Sequence, residues 1–401
     1  MPEPSPAQAD CYELVLNYNC DARCSFCSQG CFDKRLNARF EDIARAVYLG
    51  KKRGYKRLGL SGGEALLRPD LAKIVALGRS VGFTYIRLQT NGIRLADPRL
   101  CRLLVRAGLT FAKLTFASHR PEVHDALVGV KGAWRRTMAG LRHMKALKAL
   151  VGVNILLNRR NLAELPATVR FFLDEGVSEF VVIYPLYLGS MAKNAKTLGI
   201  TLKQASGPVV ETLGFMEREG LSDGIKVLNM PPCFLPGFED RAMGLYRFNT
   251  LVTSPDGRPT DLDEDASRAR TQGPPCRACS LRRRCGGVDR HYPELYGWKD
   301  FRPLKKEPRA AKPVKPTSPA RRGTGVSPVP RWRTSNEQCL LEILSRESDI
   351  PTPRVLALAR GIPMCRDCRD GSAVLVAGER LIEHGLVARR FEKGKYYWRK
   401  A

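Results

Sequence analysis

From residue 11 to about residue 189, the chain alternates between two patterns of apolar and polar positions. Short apolar runs typical of buried strands end near Asn19, Ser61, Gln89, Thr115, Leu157 and Tyr187. Amphipathic, helix-like stretches lie between them, at residues 39–53, 70–81, 98–107, 133–148 and 162–175. This alternation predicts an α/β fold with a parallel sheet covered by helices, and six such units fit a partial (β/α)6 TIM barrel. The active-site loops of such a barrel lie at the carboxyl ends of its strands.

The pattern changes beyond the predicted barrel and indicates further regions. Residues 302–334 combine seven prolines with a basic run, which predicts a semi-extended linker. Three helix-like stretches and an alternating end then predict a small winged-helix-like domain. We therefore expect a disordered N-terminus at 1–10, the barrel at 11–225, a cysteine-rich auxiliary module at 226–301, the linker at 302–334 and the winged-helix-like domain at 335–401.

Three thiols, those of Cys20, Cys24 and Cys27, directly follow the first predicted strand. The chain has 13 cysteines and no secretory start, which favours metal ligation over disulfides. An iron-sulfur cubane takes four thiolates, so three would leave one iron open to a ligand that is not protein. The alternative is a structural zinc knuckle, in which Cys31 supplies the fourth ligand of a closed tetrahedral site.

Two further motifs follow predicted strands, namely Gly62-Gly63-Glu64 and Thr90-Asn91-Gly92. In this order, the three motifs resemble those of the radical S-adenosylmethionine (radical SAM) enzymes, and a zinc knuckle predicts neither of the later two. The resemblance implies a [4Fe-4S] cluster on the three-cysteine loop, with S-adenosylmethionine bound to its open iron. The cofactor-binding residues that it implies are Phe26, Gly62, Gly63, Glu64, Thr90, Asn91 and Thr115.

The stretch after the fourth predicted strand resembles the molybdenum-cofactor cyclase and peptide-maturase branch of that family, in which a Ser-x-Asp segment precedes Pro-Glu-x-His-Asp. Here Thr115 and Ala117 replace the serine and the aspartate, so the hydroxyl is kept and the carboxylate is lost. His124 and Asp125 could form an acid/base pair. We expect them instead to cap the turn that follows.

A second group of thiols lies in the predicted auxiliary module. Its spacing resembles the SPASM or shorter Twitch module of peptide-maturing radical SAM enzymes, although Asp289 stands where that module commonly has another cysteine. The resemblance implies one auxiliary [4Fe-4S] cluster, and a zinc ion on the same four thiolates is the alternative. Cys365 and Cys368 form a further pair, too few thiols for a tetrahedral site. The second group comprises Cys233, Cys276, Cys279 and Cys285.

The net charge of +27 makes a polyanion such as nucleic acid a possible partner. The C-terminal hairpin could contact nucleic acid or a peptide, or its aromatic side chains could pack on their own domain. The residues concerned are Arg389, Arg390, Lys393, Lys395 and Arg399, with Tyr396, Tyr397 and Trp398.

These features predict a radical SAM oxidoreductase that cleaves S-adenosylmethionine reductively to a 5′-deoxyadenosyl radical. The radical is expected to abstract hydrogen from the substrate, and a peptide is favoured over RNA as that substrate. Modification of RNA or a nucleotide is one alternative, and a zinc-stabilised, non-catalytic nucleic-acid-binding regulator is another. We expect a reducing donor such as flavodoxin or ferredoxin as a partner, no membrane segment and a cytoplasmic location.

Overall fold

The structure is a computed structural model that describes residues 11–243, 250–306, 335–359, 374, 377–379, 381–382, 385–392 and 395–401. The predictions for residues 1–10, for most of the linker and for Cys365 and Cys368 lie outside the described residues. The chain forms two compact units, residues 1–317 and residues 318–401.

The first unit is built on a sheet of nine strands in the order β7-β6-β5-β4-β3-β2-β1-β8-β9. Neighbouring strands are parallel throughout, except that β8 and β9 are antiparallel. This topology confirms the predicted α/β partial barrel. The strands are β1 (Cys11–Val15), β2 (Arg57–Ser61), β3 (Tyr85–Thr90), β4 (Phe111–Thr115), β5 (Leu150–Leu156), β6 (Glu179–Ile183), β7 (Ile225–Leu228), β8 (Thr250–Thr253) and β9 (Pro259–Asp261).

Helices connect the strands, and local signals fix several of their ends. In α3, the Asp97 side chain accepts from the backbone N–H of Arg99, and Gly108 ends the helix in the left-handed conformation, so the predicted bounds 98–107 are met. The helices of this unit are α1 (Phe40–Lys52), α2 (Leu71–Ser80), α3 (Pro98–Ala107), α4 (Pro121–Val128), α5 (Ala133–Ala146), α6 (Leu165–Asp174), α7 (Gly189–Lys193), α8 (Ala195–Leu198), α9 (Leu202–Arg218), α10 (Leu262–Ala269) and α11 (Tyr292–Tyr296).

The two faces of the barrel sheet differ in polarity. Leu58, Leu60 and Ile86 are fully buried in the main apolar core. On the opposite face, Glu13 accepts hydrogen bonds from Arg87 (2.5 Å) and Gln89 (2.8 Å). Parallel barrels commonly fill this interior with branched apolar side chains, so the polar lining is a departure from that rule.

The auxiliary segment contributes strands to the same unit. β7 and β8 extend the sheet on opposite sides of the six predicted strands. A separate ribbon pairs β10 (Arg270–Thr271) with β11 (Val288–Asp289). Residue 226, where the module was expected to begin, therefore lies inside β7.

The second unit consists of helices and a three-stranded antiparallel sheet in the order β12-β14-β13. Residues 377–379 and 381–382, within the predicted third helix, are helical. Trp398 and Leu344 belong to a core separate from that of the barrel. The elements are α12 (Ser335–Arg346), β12 (Ile350–Pro351), α13 (Thr352–Ala359), β13 (Val387–Glu392) and β14 (Lys395–Lys400).

No helix in the described ranges combines the length and the apolar character that crossing a bilayer demands.

Candidate active site

The loop that carries Cys20, Cys24 and Cys27 leaves the carboxyl end of β1, and all three side chains are half-buried. Burial raises the pKa of Cys24, and the neighbouring thiolates of Cys20 and Cys27 raise it further. The three thiols are therefore near enough to interact electrostatically. Cys31 is exposed, and its thiol donates to the carbonyl of Ser28 (3.4 Å).

Backbone contacts hold this loop against two helices. The N–H groups of Arg23 and Ser25 donate to the carbonyls of Val128 and Leu127 at the end of α4 (both 2.9 Å). On the other side, the N–H of Ser190 in α7 donates to the carbonyl of Cys27 (2.9 Å). Phe26, in the middle of the loop, is buried in the main core. These contacts fix the loop against α4 and α7.

Gly62 and Gly63 pack directly against the chain that leads into this loop. The N–H of Gly63 donates to the carbonyl of Asn17 (2.8 Å), and the N–H of Glu64 donates to that of Asn19 (2.7 Å). A Cβ at Gly63 would lie 2.5 Å from the carbonyl oxygen of Tyr18. Close approach of the two backbones therefore requires glycine here.

Glu64 is fully buried, and its carboxylate is occupied by the protein itself. It accepts hydrogen bonds from the N–H of Leu66 (3.0 Å), the hydroxyl of Thr90 (2.7 Å) and the N–H of Asn91 (2.8 Å). Burial raises the pKa of Glu64 to about 7, although these hydrogen bonds act in the opposite direction. Glu64 therefore joins the ends of β2 and β3.

Asn91 extends this network to the cysteine loop. Its amide Nδ2 donates to Asp21 (2.8 Å) and lies 3.8 Å from the sulfur of Cys20. Hydrogen bonds to a thiolate are one means by which proteins tune an iron-sulfur cluster. Thr115, at the end of β4, is half-buried.

Among the described residues, no three side chains of His, Cys, Asp or Glu are arranged around a single metal ion. In a cubane, each thiolate binds a different iron. A cubane therefore needs several separate thiols on one loop that is shielded from water. Cys20, Cys24 and Cys27 provide such thiols. Because burial raises the pKa of Cys20 and Cys24, metal binding has to displace their protons.

Asp125 caps the turn after α4, as expected from the sequence, whereas His124 does not. Asp125 accepts from the N–H groups of Gly132 (2.5 Å) and Trp134 (2.8 Å) at the start of α5. His124 is buried, and its Nδ1 accepts from the N–H of Ala117 (3.2 Å), which precedes α4. The capping interpretation is confirmed for Asp125, and His124 has a structural role at the other end of the helix.

His124 should make the fold sensitive to acid. Burial lowers its pKa to about 4, below the value of about 6.5 in an unfolded chain. This contribution to stability is complete above about pH 6.5 and is lost as the pH falls toward 4. Between about pH 7.5 and 5.5, wild type should lose about 1 kcal/mol more unfolding free energy than His124→Gln, measured by urea titration. Equal losses would show that another group dominates.

The second group of cysteines also converges. Cys233 lies in a short turn after β7, and burial raises its pKa to about 12, helped by the thiolates of Cys285, Cys276 and Cys279. The N–H of Cys279 donates to the carbonyl of Cys276 (3.1 Å), and the N–H of Gly287 points at the sulfur of Cys285 (3.3 Å). Thiols from two distant segments are therefore near enough to interact electrostatically.

Buried tyrosines fasten this module to the barrel. The hydroxyl of Tyr296 in α11 donates to that of Tyr187 beyond β6 (3.1 Å). The hydroxyl of Tyr292 accepts from the N–H of Leu202 at the start of α9 (3.1 Å). These contacts give the second cysteine group a fixed position on the barrel unit.

Asn17, Asp21 and Arg94 contribute to the site but were not identified from the sequence. Asn17 Nδ2 donates to the carbonyl of Glu64 (3.0 Å), and Asp21 accepts from Arg94 (3.2 Å) as well as from Asn91. Asp21 lies inside the cysteine motif, so its position in the sequence could have identified it as a site residue. Asn17 carried no signal, because its role depends on pairing with a turn far along the chain.

In the second unit, several of the described hairpin side chains are engaged within the unit, and Lys393 lies outside the described residues. Trp398 is buried and donates to Thr352 (2.9 Å). Arg389 stacks on Tyr396 (4.4 Å) and pairs with Glu379 (3.2 Å). Packing of Trp398 on its own domain is confirmed. The expected contact with nucleic acid or peptide stays a prediction.

A family comparison assigns the barrel. The sequence pattern of the Radical SAM superfamily matches residues 14–172, which begin within β1, include β2 to β5 and contain all three motifs. Residues 14–172 form a radical SAM domain. Curated relatives of this chain include the PqqA peptide cyclase of Gluconobacter oxydans, 26% identical over 257 residues, which are 64% of this chain and 70% of the relative. The PqqA peptide cyclase of Ruegeria pomeroyi is 28% identical over 247 residues, 60% of this chain and 64% of the relative.

Solved structures share the fold of this chain. SuiB of Streptococcus suis bound to its precursor peptide SuiA superposes with a TM-score of 0.56 at 14% identity, over 69% of this chain and 71% of SuiB. The enzyme anSMEcpe with bound AdoMet and a peptide superposes with a TM-score of 0.54 at 15% identity, over 70% of this chain and 89% of anSMEcpe. At these identities, the likeness concerns the fold alone.

Proposed function

We propose that this protein is a radical SAM enzyme that modifies a peptide. The observation that carries the proposal is the half-buried loop of Cys20, Cys24 and Cys27, held at the carboxyl ends of the barrel strands beside Glu64 and Asn91. Curated relatives named PqqA peptide cyclase, and the peptide complexes of SuiB and anSMEcpe, favour a peptide over RNA as substrate.

The chain's own residues prepare the site. Cys20, Cys24 and Cys27 would hold a [4Fe-4S] cluster, while Gly62, Gly63, Thr90, Asn91 and Thr115 are the proposed surroundings of S-adenosylmethionine. Together, the bound groups supply the electron and the cleavable bond that produce a 5′-deoxyadenosyl radical able to abstract a substrate hydrogen. Glu64 orients Thr90 and Asn91 through its hydrogen bonds. Fixed positions and exclusion of water are what a protein contributes to such chemistry.

The second thiol group is proposed to hold an auxiliary [4Fe-4S] cluster that binds substrate or takes an electron from it. Burial of Cys233 and its coupling to Cys276, Cys279 and Cys285 support a shared metal group. Zinc on the same thiolates is the competing assignment.

The proposal includes an electron donor, flavodoxin or ferredoxin, and a reducing compartment such as the cytoplasm. Ten of the described cysteines have free thiols, which a reducing compartment favours, while Cys339 is disulfide-bonded.

Anaerobic reconstitution with iron and sulfide, followed by reduction in the presence of S-adenosylmethionine, tests the proposal. We expect release of 5′-deoxyadenosine and iron contents consistent with two clusters. Stoichiometric zinc without cleavage would instead support a non-catalytic regulator.

The substrate class is tested with short peptides encoded beside the gene. Mass spectrometry should detect a peptide that loses hydrogen or gains a cross-link only when S-adenosylmethionine and reductant are both present. A modified nucleoside in added RNA, with every such peptide unchanged, would establish the RNA alternative.

The two cysteine groups should respond differently to mutation. Cys279→Ala should retain 5′-deoxyadenosine release without substrate, because the first site is intact, but should lose conversion of the peptide. Liquid chromatography of both products measures the two activities. If Cys279→Ala loses cleavage as fully as a variant of the first group does, the assignment of separate roles is wrong.

A further inference from the structure

An arginine lies beside the second thiol group without being one of its ligands. Arg270 begins the β10–β11 ribbon, directly opposite Asp289. It lines the same small cavity as Cys285 and Gly286. A Cβ added at Gly286 would lie 3.3 Å from Cδ of Arg270, so the arginine packs on the backbone that follows Cys285.

A second contact joins this guanidinium to the segment that carries Cys233. Nη2 of Arg270 donates to Oδ1 of Asn229 (3.2 Å), which lies between β7 and Cys233. Asn229 in turn donates to the carbonyl of Tyr184 (3.3 Å), and its backbone has a left-handed φ of 64°. Arg270 therefore spans the two segments that bring Cys233 and Cys285 together.

Water and salt screen the charge of Arg270 less than they screen the charges of the exposed arginines near Cys285. Burial lowers the pKa of Arg270, while the negative charges of Cys285 and Asp289 raise it. Arg282 and Arg283 are close to Cys285 in sequence, but their side chains are exposed, so water and salt screen their charges. A charge in a partly buried site acts more strongly on a neighbour than an equal charge in water.

We propose that Arg270 raises the reduction potential of the auxiliary cluster held by Cys233, Cys276, Cys279 and Cys285, and that Asp289 opposes it. This inference rests on the proposed second cluster. The one-electron reduced cluster carries one more negative charge than the oxidised cluster, so a nearby guanidinium stabilises the reduced form more. Net charge around a cluster is among the factors that set its potential. Arg270 acts as a positioning residue, because it is not a ligand.

The test uses the full chain with Cys20, Cys24 and Cys27 replaced by alanine, so that only the auxiliary cluster remains. Its reduction potential is measured by a redox titration followed by electron paramagnetic resonance. Arg270→Gln should lower the potential, Arg270→Lys should stay near the parent, and Asp289→Asn should raise it. Arg283→Gln is the matched control, which removes the same charge from an exposed position and should cause a smaller shift.

The outcomes separate this inference from the proposed cluster. If iron and sulfide are retained but Arg270→Gln shifts the potential no more than Arg283→Gln, the inference is wrong and the cluster stands. If the parent chain binds zinc or no iron, the cluster assignment is wrong and the inference fails with it. If Arg270→Gln is the one variant that fails to assemble the cluster, the Asp289→Asn variant decides the question. A lower or unchanged reduction potential in Asp289→Asn would overturn the proposal.

Discussion

Replacing Cys24 with alanine should reduce the release of 5′-deoxyadenosine by more than about 100-fold. Loss of an outer-shell partner alone typically costs 10- to 100-fold in metal affinity or activity, and Cys24 is proposed as a direct ligand. The charges of Cys20 and Cys27 both raise the pKa of Cys24, so the three thiols lie in one neighbourhood. Iron content and product release, measured on anaerobically reconstituted protein, check the result.

Cys31→Ala is the matched control for that experiment. Cys31 is exposed, and its thiol contacts only its own turn through Ser28 in the described structure. The variant should therefore keep its iron and its activity. If instead Cys31→Ala loses metal as completely as Cys24→Ala does, the loop is a four-thiolate zinc knuckle and not an open cluster site.

A single methyl group at Gly63 should disable the site without touching a thiol. The added carbon would meet the backbone of Tyr18 at 2.5 Å and that of Asn19 closer still, so the cysteine loop must move. Overpacking of this kind costs up to about 3 kcal/mol. Displacement of a reacting group by about 1 Å can cost about 100-fold in rate. We expect Gly63→Ala to lower both the unfolding free energy and 5′-deoxyadenosine release by these amounts.

Gly214→Ala is the matched control, since Gly214 lies within α9, where an added Cβ finds only ordinary contacts. This variant should gain about 0.5–1 kcal/mol in unfolding free energy, because alanine favours the helix. Its cleavage activity should equal that of wild type. A Gly63→Ala variant as stable and active as Gly214→Ala would mean that the close approach is not required.

Much of the barrel could be predicted because its signals are local. Apolar runs identified the six strands β1 to β6, and Asp97 and Gly108 mark the ends of α3 in the sequence itself. The cysteine loop was equally visible, since three thiols at fixed spacing need no knowledge of distant contacts.

Other features could not be read locally, because they depend on pairing between distant segments. β8 pairs with β1 across more than 200 residues, and nothing within Thr250–Thr253 indicates that partner. The polar barrel interior was also missed. Glu13 on β1, and Arg87 and Gln89 on β3, alternate with buried apolar residues. Strands with one face in water show the same pattern, so it did not indicate a polar barrel interior.

Glu64 shows how the structure refines a role that was only implied. The family resemblance predicted a contact with the methionine end of the cofactor. In the structure, the Glu64 carboxylate is buried and accepts three hydrogen bonds from Leu66, Thr90 and Asn91. Its contribution to the site therefore includes holding the ends of two strands together, and the cofactor contact stays a prediction.

The central claim is that Cys20, Cys24 and Cys27 hold a cluster with one iron open to S-adenosylmethionine. The most direct test uses a chain in which Cys233, Cys276, Cys279 and Cys285 are alanine, so that only the first cluster remains. Its reduced state is examined by electron paramagnetic resonance before and after S-adenosylmethionine is added. We predict a change in the spectrum, because the cofactor binds the open iron. A [4Fe-4S] spectrum that is the same with and without S-adenosylmethionine would contradict the claim.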